Sequence, residues 1–230
     1  MGKVVELTEA EIRVGGHLVA ESANMVGNKG QVIAVRGPNG GGKTSVLKTL
    51  AGVLGVSQGE RVGPASAAYV PAAIEPPVVK VKKWIALFPR ENRTDIAISL
   101  EILSFHGNVN KPCTALSFGN LRKLMLAEAF SSGESLIVVD EWDAGLDAEG
   151  GDGLAKLARE SAENGSCVVL AGQTSQASAV ADETYIAQNL TLTKVEGALA
   201  MDEVHLAGPA DKITAIRQYS RTLGVTEIIS

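Results

Sequence analysis

Residues 37–44 form a glycine-rich stretch, Gly-Pro-Asn-Gly-Gly-Gly-Lys-Thr, whose spacing is that of a phosphate-binding P-loop. The glycines at 40–42 have no side chains, so successive backbone N–H groups can point inward at an anion. A helix that begins near Lys43 adds the positive end of its dipole. We expect the Lys43 ammonium to bridge the β- and γ-phosphates of a nucleotide, and the Thr44 hydroxyl to ligate Mg²⁺.

Two adjacent carboxylates, Asp140 and Glu141, follow the apolar run at residues 136–139. The carboxyl ends of strands are the edge at which open α/β sheets bind their ligands. Downstream of a P-loop, such a pair has the form of a Walker B element. Asp140 is then expected to orient Mg²⁺ through its water shell, and Glu141 to polarise the water that attacks the γ-phosphate. Without the P-loop, the pair would be interpreted as a solvated turn at a strand end.

The elements around these residues alternate between strand and helix. Residues 31–36, 136–139 and 167–171 are short apolar runs that favour buried strands. Residues 44–54 carry apolar side chains at helical spacing, and a second helical stretch ends near residue 132. This order predicts an α/β fold with a mainly parallel sheet, because parallel strands need crossover helices between them.

The segments outside this core follow other patterns. Residues 1–30 alternate apolar and polar side chains and favour an antiparallel β-lobe. Prolines punctuate residues 55–113, where one helix is predicted at 94–105, so this region is interpreted as an inserted lobe. A last amphipathic helix is predicted between Pro209 and Gly224.

A P-loop alone is compatible with a kinase, a GTPase or a helicase, and two further motifs bear on this choice. Residues 116–124, Leu-Ser-Phe-Gly-Asn-Leu-Arg-Lys-Leu, resemble the ABC signature motif. Residues 140–147, Asp-Glu-Trp-Asp-Ala-Gly-Leu-Asp, resemble a Walker B element that continues into a D-loop. With the P-loop, the chain resembles the ABC ATPase family over most of its length. A GTPase is disfavoured because the Asn-Lys stretches at 28–31 and 110–113 lack the aspartate of an Asn-Lys-x-Asp motif.

The resemblance implies a P-loop NTPase core that works as a dimer of two ABC ATPase subunits, identical or different. Each nucleotide would lie between the P-loop of one subunit and the signature motif of the other, so that ATP closes the dimer and hydrolysis reopens it. The helix near Ser117 offers a second anion-binding N-terminus that a monomer cannot direct at its own P-loop. The expected domain is a single one, residues 1–230, with a core at 31–63 and 134–230 and an inserted lobe, including the signature helix, at 64–133.

The residues implied by these motifs fall into several groups. Catalytic roles are expected for Glu141, Lys43 and Gln173, and metal-binding roles for Thr44 and Asp140. ATP binding is assigned to Gly37, Pro38, Asn39, Gly40, Gly41, Gly42, Lys43, Thr44 and Ser45. The signature residues expected to contact the partner subunit's nucleotide are Ser117, Phe118, Gly119 and Asn120, and the D-loop residue is Asp147. The expected cofactors are ATP and Mg²⁺.

Four positions depart from the pattern of the family. Ala72 stands where the Q-loop glutamine is expected, and Gln173 replaces the switch histidine. Val14 occupies the place of the aromatic residue that stacks on adenine, with His17 nearby as a substitute. Trp142 replaces the proline after the Walker B glutamate, and its indole would pack on the loop or face a partner. Because glutamine cannot carry the charge of an imidazolium, we expect ATP and Mg²⁺ binding with slow hydrolysis.

Composition restricts the class of protein further. The formal net charge of -5 provides no basic field for direct nucleic-acid binding. No apolar run approaches the roughly 20 residues that span a bilayer, and the first residues show no secretory or transit pattern. Cys113 and Cys167 are expected to be reduced, structural thiols. These features predict a cytoplasmic chain. The resemblance to the ABC ATPase family implies that the chain powers a membrane transporter and docks on integral membrane subunits near residues 64–113.

Two alternatives remain open at this stage. One is a soluble ABC ATPase that acts in DNA or ribosome processes, which a coiled-coil insertion or a second ATPase cassette would mark; the sequence contains neither. The other is a nucleotide-binding regulator, in which closure rather than turnover carries the signal. The altered residues Ala72 and Gln173 keep this second alternative open.

Overall fold

The computed structural model describes residues 2–172 and 179–195. Every element described below belongs to the compact unit Met1–Glu196. Two of the sequence predictions, the C-terminal amphipathic helix and the switch position Gln173, lie outside the described residues.

A six-stranded sheet contains the buried strands. Its members are β3 (Val32–Arg36), β5 (Ala68–Val70), β6 (Leu136–Val139), β7 (Cys167–Ala171), β8 (Glu183–Gln188) and β9 (Thr191–Lys194). Their order across the sheet is β5-β6-β7-β3-β8-β9, and every pairing is parallel except that of β8 with β9. The predicted mainly parallel sheet is therefore confirmed. The β8-β9 hairpin lies outside that prediction, because its turn, Asn189-Leu190, lacks a glycine although both residues have positive φ.

A second sheet of three strands is antiparallel. It contains β1 (Lys3–Val14), β2 (His17–Asn28) and β4 (Gln58–Val62) in the order β2-β1-β4. The hairpin of the first two strands agrees with the β-lobe predicted for residues 1–30. The third strand differs from the prediction, which placed its residues in the P-loop core. Since β4 is exposed at nearly every position, it carries no periodic apolar signal that would reveal a strand.

Five α-helices connect the strands of the described residues. They are α1 (Lys43–Leu50), α2 (Val81–Ile85), α3 (Arg90–Ile102), α4 (Phe118–Phe130) and α5 (Ala148–Glu163). The helix predicted at 94–105 corresponds to α3, which begins four residues earlier, directly after Pro89. Proline is tolerated next to a helix start because the first N–H groups have no intrahelical partner.

Hydrophobic cores lie on both faces of the six-stranded sheet. Ile33 and Val35 of β3 pack with α1 and the antiparallel sheet. Val32 and Ala34, whose side chains point to the opposite face, pack with α3, α4 and α5. Coverage on both faces explains why β6 and β7 are buried at every position. Cys113 and Cys167 lie in these cores, and burial raises the pKa of the Cys167 thiol to about 12. Since β3 and β6 are both parallel to β7, the segments that follow them lie at one edge of the sheet.

Candidate functional site

The glycine-rich loop connects β3 to α1 at the carboxyl edge of the sheet. Gly37, Gly40 and Gly42 have φ angles of 146°, 78° and 92°, in the region that favours glycine. Gly42 is the N-cap of α1, and no side chain among the described residues caps this helix. The first backbone N–H groups of an α-helix have no intrahelical partner, so this helix start is suited to binding an anion.

Neighbouring backbone leaves no room for a side chain at two of the loop glycines, and a third glycine is tightly packed. A Cβ atom at Gly37 would lie 2.1 Å from the carbonyl oxygen of Ala187 in β8, and one at Gly41 would lie 2.5 Å from the same oxygen. On the other side, a Cβ atom at Gly42 would lie 3.0 Å from Cγ1 of Val19 in β2. The glycines therefore serve packing between the loop and two strands as well as the shape of the loop.

The close approach at Gly41 leads to a prediction. We expect Gly41→Ala to lower the free energy of unfolding by about 1–3 kcal/mol, as in other overpacked sites, because the added methyl group would meet the backbone oxygen of Ala187. Gly41 is outside the positive-φ residues, so the steric contact alone is tested. Urea unfolding of the variant and the wild type measures the difference. Gly55→Ala is the matched control, since no atom of the part of the chain that the structure describes lies within 4 Å of its Cβ position. Equal unfolding free energies for the two variants would contradict the packing.

Lys43 is directed into the loop. Its side chain is only 8% exposed, and Nζ donates hydrogen bonds to the carbonyl oxygens of Gly37 at 2.8 Å and Pro38 at 2.9 Å. These partners are neutral, whereas hydrogen bonds between an ammonium and a phosphate are charge-assisted and about twice as strong. The ammonium is thus held inside the loop by contacts that an anionic phosphate can replace.

Thr44 and Asp140 are brought together from distant parts of the chain. Thr44 Oγ1 donates to Asp140 Oδ2 at 2.7 Å, and Asp140 is 1% exposed. The other carboxylate oxygen, Oδ1, is buried without a hydrogen-bond partner among the described residues, which is unusual for a buried polar atom. Carboxylate and hydroxyl oxygens are the hard ligands that Mg²⁺ prefers. The predicted metal residues therefore fit a magnesium ion.

Glu141 and Asp140 are adjacent in sequence but have opposite environments. Asp140 is buried, whereas Glu141 is exposed and has a left-handed backbone with φ of 48°. This conformation costs a residue other than glycine roughly 1–2 kcal/mol. The turn separates the two carboxylates, so that one is available to a metal ion and the other to water.

Trp142 packs inside the chain. It is 2% exposed, its backbone N–H donates to the carbonyl oxygen of Ala171 at 2.8 Å, and its indole lies so close to Gly172 that a Cβ there would be 2.6 Å from Trp142 Cδ1. Of the two orientations left open by the sequence, the indole adopts the one that packs on the loop. Its backbone bond joins the Walker B segment to the end of β7.

The signature stretch begins α4 and contacts the D-loop. Ser117 is the N-cap of this helix, and its Oγ accepts from Asn120 N at 3.3 Å and from Asn120 Nδ2 at 3.1 Å. A Cβ atom at Gly119 would lie 2.5 Å from the carbonyl oxygen of Gly145, and one at Gly145 would meet the ring of Phe118 at 2.5 Å. Phe118 is nevertheless 49% exposed. The signature stretch and the D-loop thus form one continuous surface.

Asp147, the predicted D-loop residue, is tied to α4. It is the N-cap of α5, where Oδ1 accepts from Gly150 N at 3.0 Å, and it also accepts from Lys123 Nζ at 2.8 Å. The hydrogen bond from Lys123, followed by that from Gly150, lowers the pKa of the Asp147 carboxyl. Lys123 is buried and donates as well to the carbonyl oxygen of Ser104. Sequence reasoning did not assign Lys123 a role, although it lies within the signature motif.

The positions that depart from the family pattern lie in different places. Ala72 is half-buried two residues after β5. Val14 is 47% exposed and pairs with His17 at the turn of the β1-β2 hairpin. The β2 residue in contact range of the P-loop is Val19, which the sequence did not single out. In the sequence, Val19 is distinguished only as an apolar residue two positions after His17, which does not indicate a contact with the P-loop.

Comparison with known proteins places these features in a family. The sequence model of the ABC transporter family matches residues 21–144. The zinc import ATP-binding protein ZnuC of a Ruegeria species is 31% identical over 153 residues, which are 64% of this chain and 61% of that protein. The cytochrome c biogenesis ATP-binding export protein CcmA of Hahella chejuensis is 29% identical over 66% of this chain and 81% of its own length.

Solved structures resemble the fold closely. The ATP-binding subunit of an ABC transporter superposes with a TM-score of 0.74 at 19% identity, covering 94% of this chain and 93% of that one. A dimeric ATP-binding cassette, solved in a post-hydrolysis state with ADP and phosphate, gives a TM-score of 0.71 at 16% identity and covers 84% of this chain and all of its own. The predicted fold class is confirmed by these likenesses.

Proposed function

This chain belongs to the ABC transporter family, and we propose that it is an ATP-binding and ATP-hydrolysing subunit that powers a membrane transporter. The observation that carries the proposal is the hydrogen bond from Thr44 Oγ1 to the buried Asp140 carboxylate. It lies at the sheet edge where Lys43 donates to the carbonyl oxygen of Gly37 in the P-loop. Family membership supports the reaction, since both relatives described above are named as ATP-binding proteins of import or export.

The residues of the site divide the work on the triphosphate. Backbone N–H groups at the start of α1 and the Lys43 ammonium bind the β- and γ-phosphates. Thr44 and Asp140 hold Mg²⁺, which when bound supplies positive charge to the phosphate oxygens. Glu141, exposed beside this pair, orients the attacking water and accepts its proton. Donors preorganised in this way stabilise charge that develops in the transition state.

A second subunit completes the site. Ser117 and Gly119 lie at the N-terminus of α4, and the exposed ring of Phe118 adjoins them. A second copy or a related ABC subunit would present this surface to the γ-phosphate held by the P-loop of the first. ATP then favours the closed dimer because the γ-phosphate contacts both subunits, and hydrolysis removes that preference.

Hydrolysis is slow in this proposal. Ala72 has no polar side chain to contribute to the metal or the water, and Gln173 can donate a hydrogen bond without carrying charge. Binding of phosphate depends on other residues and is expected to be retained. Closure on ATP therefore persists longer than it would with a charged residue at position 173.

The membrane partners in this proposal are integral membrane subunits. Among the described residues, no helix combines the length and apolar character needed to cross a bilayer. The lobe at residues 64–113 carries apolar side chains that face solvent, with Val78 91% and Leu87 71% exposed. Exposed apolar side chains of this kind are suited to an interface. The chain docks through this lobe on integral membrane subunits at the cytoplasmic face, without direct contact to nucleic acid.

Purification from membranes tests the proposal. We expect the tagged protein, extracted in mild detergent, to come with an integral membrane protein identified by mass spectrometry. The recovered complex should hydrolyse ATP in Mg²⁺ and lose that activity in EDTA, because Thr44 and Asp140 then lack the ion that they hold. Recovery with nucleic acid instead would contradict the transporter role and favour a soluble ABC ATPase. ATP-dependent closure without any turnover would favour a nucleotide-binding regulator.

A further inference from the structure

Arg122 is a fully buried arginine in the signature helix. Its relative exposure is 0%, and burial is the main cause of a lowered guanidinium pKa, opposed by the charges of Asp140 and Glu141. Burying a charge is costly unless polar partners compensate for the lost hydration. Neither the P-loop nor the signature contacts described above require an arginine at this position, so its partners indicate what it does.

The guanidinium of Arg122 binds backbone carbonyls from two separate segments. Nη1 donates to the oxygen of Pro71, which follows β5, at 2.5 Å. Nη2 donates to the oxygens of both Asp140 and Glu141, which follow β6, and the bond to Glu141 is 2.9 Å long. The planar guanidinium carries donors on separate nitrogens and can bind three acceptors in different directions, whereas all donors of a lysine ammonium lie on one nitrogen.

The two carbonyls of the Walker B segment flank the Cα atom of Glu141. The oxygen of Asp140 belongs to the peptide plane before this Cα, and the oxygen of Glu141 belongs to the plane after it. The plane after it is held a second time by the bond from Trp142 N to Ala171 O. When both planes are held, the φ and ψ angles between them are determined, and with them the direction in which the Cα–Cβ bond of Glu141 leaves the backbone.

The backbone conformation held in this way is unfavourable for glutamate. Glu141 has φ of 48°, and a strained residue of this kind persists only where its surroundings over-determine it. Arg122 supplies two of the bonds that do so. The same guanidinium also contacts the end of β5, so α4, β5 and β6 all determine the position of this one backbone turn.

We propose that Arg122 is a positioning residue for the Glu141 carboxylate, because it holds the carbonyl oxygens on both sides of the Glu141 Cα in a left-handed turn. The inference rests on the proposed function in one respect: Glu141 must be the group that handles water in ATP hydrolysis. Within this turn, Arg122 itself donates hydrogen bonds to backbone carbonyl oxygens, and it acts on the reaction through Glu141 only.

Kinetics of Arg122→Lys test the inference. The lysine retains the charge, but its donors all lie on one nitrogen and cannot reach both segments as the two guanidinium nitrogens do. We therefore expect kcat to fall by about 10- to 100-fold, the effect of misplacing a catalytic group by about 1 Å. Binding of a fluorescent ATP analogue should stay unchanged, because Lys43 and the P-loop are untouched. In a Glu141→Gln background the same replacement should have no further effect on hydrolysis. An unchanged kcat, or an equal fall in both backgrounds, would overturn the inference, since a general structural role acts in both.

Arg61→Lys is the matched control. Arg61 also donates to a backbone carbonyl through its guanidinium, with Nη2 at 2.7 Å from Leu50 O, and burial lowers its pKa as well. It lies at the far end of α1 from the P-loop, so its replacement should leave kcat at the wild-type value. A fall in kcat equal to that of Arg122→Lys would show that loss of any such guanidinium is sufficient.

A stability cycle separates this inference from the proposed function. Glycine adopts positive φ without strain, whereas loss of Arg122 allows Glu141 to leave the strained turn. Glu141→Gly should therefore stabilise the wild type more than it stabilises the Arg122→Lys chain. Urea unfolding of the four chains measures this coupling without any nucleotide. Additive effects would refute the positioning role even if the protein hydrolyses ATP. Coupled effects in a protein that lacks ATPase activity would refute the proposed function and leave Arg122 as the residue that holds the turn.

Discussion

Replacement of Glu141 by glutamine should lower ATP hydrolysis by about 10²- to 10⁴-fold, the usual contribution of general acid–base catalysis. Glutamine has nearly the same shape but cannot accept the proton of the attacking water. The buried Asp140, the P-loop and Lys43 remain, so ATP and Mg²⁺ should still bind. The γ-phosphate then stays in place, and the ATP-bound dimer should persist instead of reopening.

Two measurements check this expectation. A phosphate-release assay gives kcat, and size-exclusion chromatography with light scattering gives the mass of the particle in saturating ATP and Mg²⁺. Glu149→Gln is the matched control, because Glu149 is an exposed glutamate in the first turn of α5; it should behave as the wild type. Persistent monomers of Glu141→Gln under these conditions would count against a nucleotide site shared by two subunits.

Lys43→Ala should have the second large effect. The ammonium lies in the loop against the Gly37 and Pro38 carbonyls, and it is the cation of the P-loop itself. Removal of one preorganised donor to developing charge costs about 10²- to 10³-fold in kcat, and loss of its charge should weaken ATP binding as well. In contrast to Glu141→Gln, this variant should therefore fail to form the ATP-dependent dimer.

The control for Lys43→Ala lies in the same helix. Lys48 is in the last turn of α1, so Lys48→Ala removes a cation of the same type at the opposite end. We expect titration with a fluorescent ATP analogue to show weakened binding for Lys43→Ala and normal binding for Lys48→Ala. Comparable affinity in both variants would mean that the P-loop of this chain does not hold the triphosphate. Urea unfolding of both variants separates loss of binding from loss of the fold.

Elements that depend on local sequence patterns were predicted from the sequence. The strands β3, β6 and β7 were predicted because strands covered on both faces are continuous apolar runs. The start of α4 was predicted because Ser117 is an N-cap residue whose side chain bonds a nearby backbone N–H. In both cases the determining contacts lie within a few residues, or repeat with the period of the element.

Other elements depend on contacts between distant segments. The strand β4 is exposed at nearly every position and exists because it pairs with β1. The hairpin of β8 and β9 turns through Asn189 and Leu190, and a leucine with φ of 64° gives no turn signal. β-propensity reflects the surroundings of a strand more than its residues, so such strands become visible only in the assembled sheet.

The amino-acid sequence by itself indicated the chemical groups of the candidate site: the phosphate loop, the cation Lys43, the hydroxyl of Thr44 and the carboxylates Asp140 and Glu141. Spacing along the chain is sufficient for this, because a P-loop and a strand end are local structures. Only the tertiary structure decided that the oxygen of Ala187 excludes side chains at Gly37 and Gly41, that Trp142 packs inward, and that Arg122 holds the turn at Glu141. The physical reason is that each of these contacts involves backbone atoms brought together by folding. Nearly every residue type carries the same backbone groups, so the residue types in the sequence do not indicate these contacts.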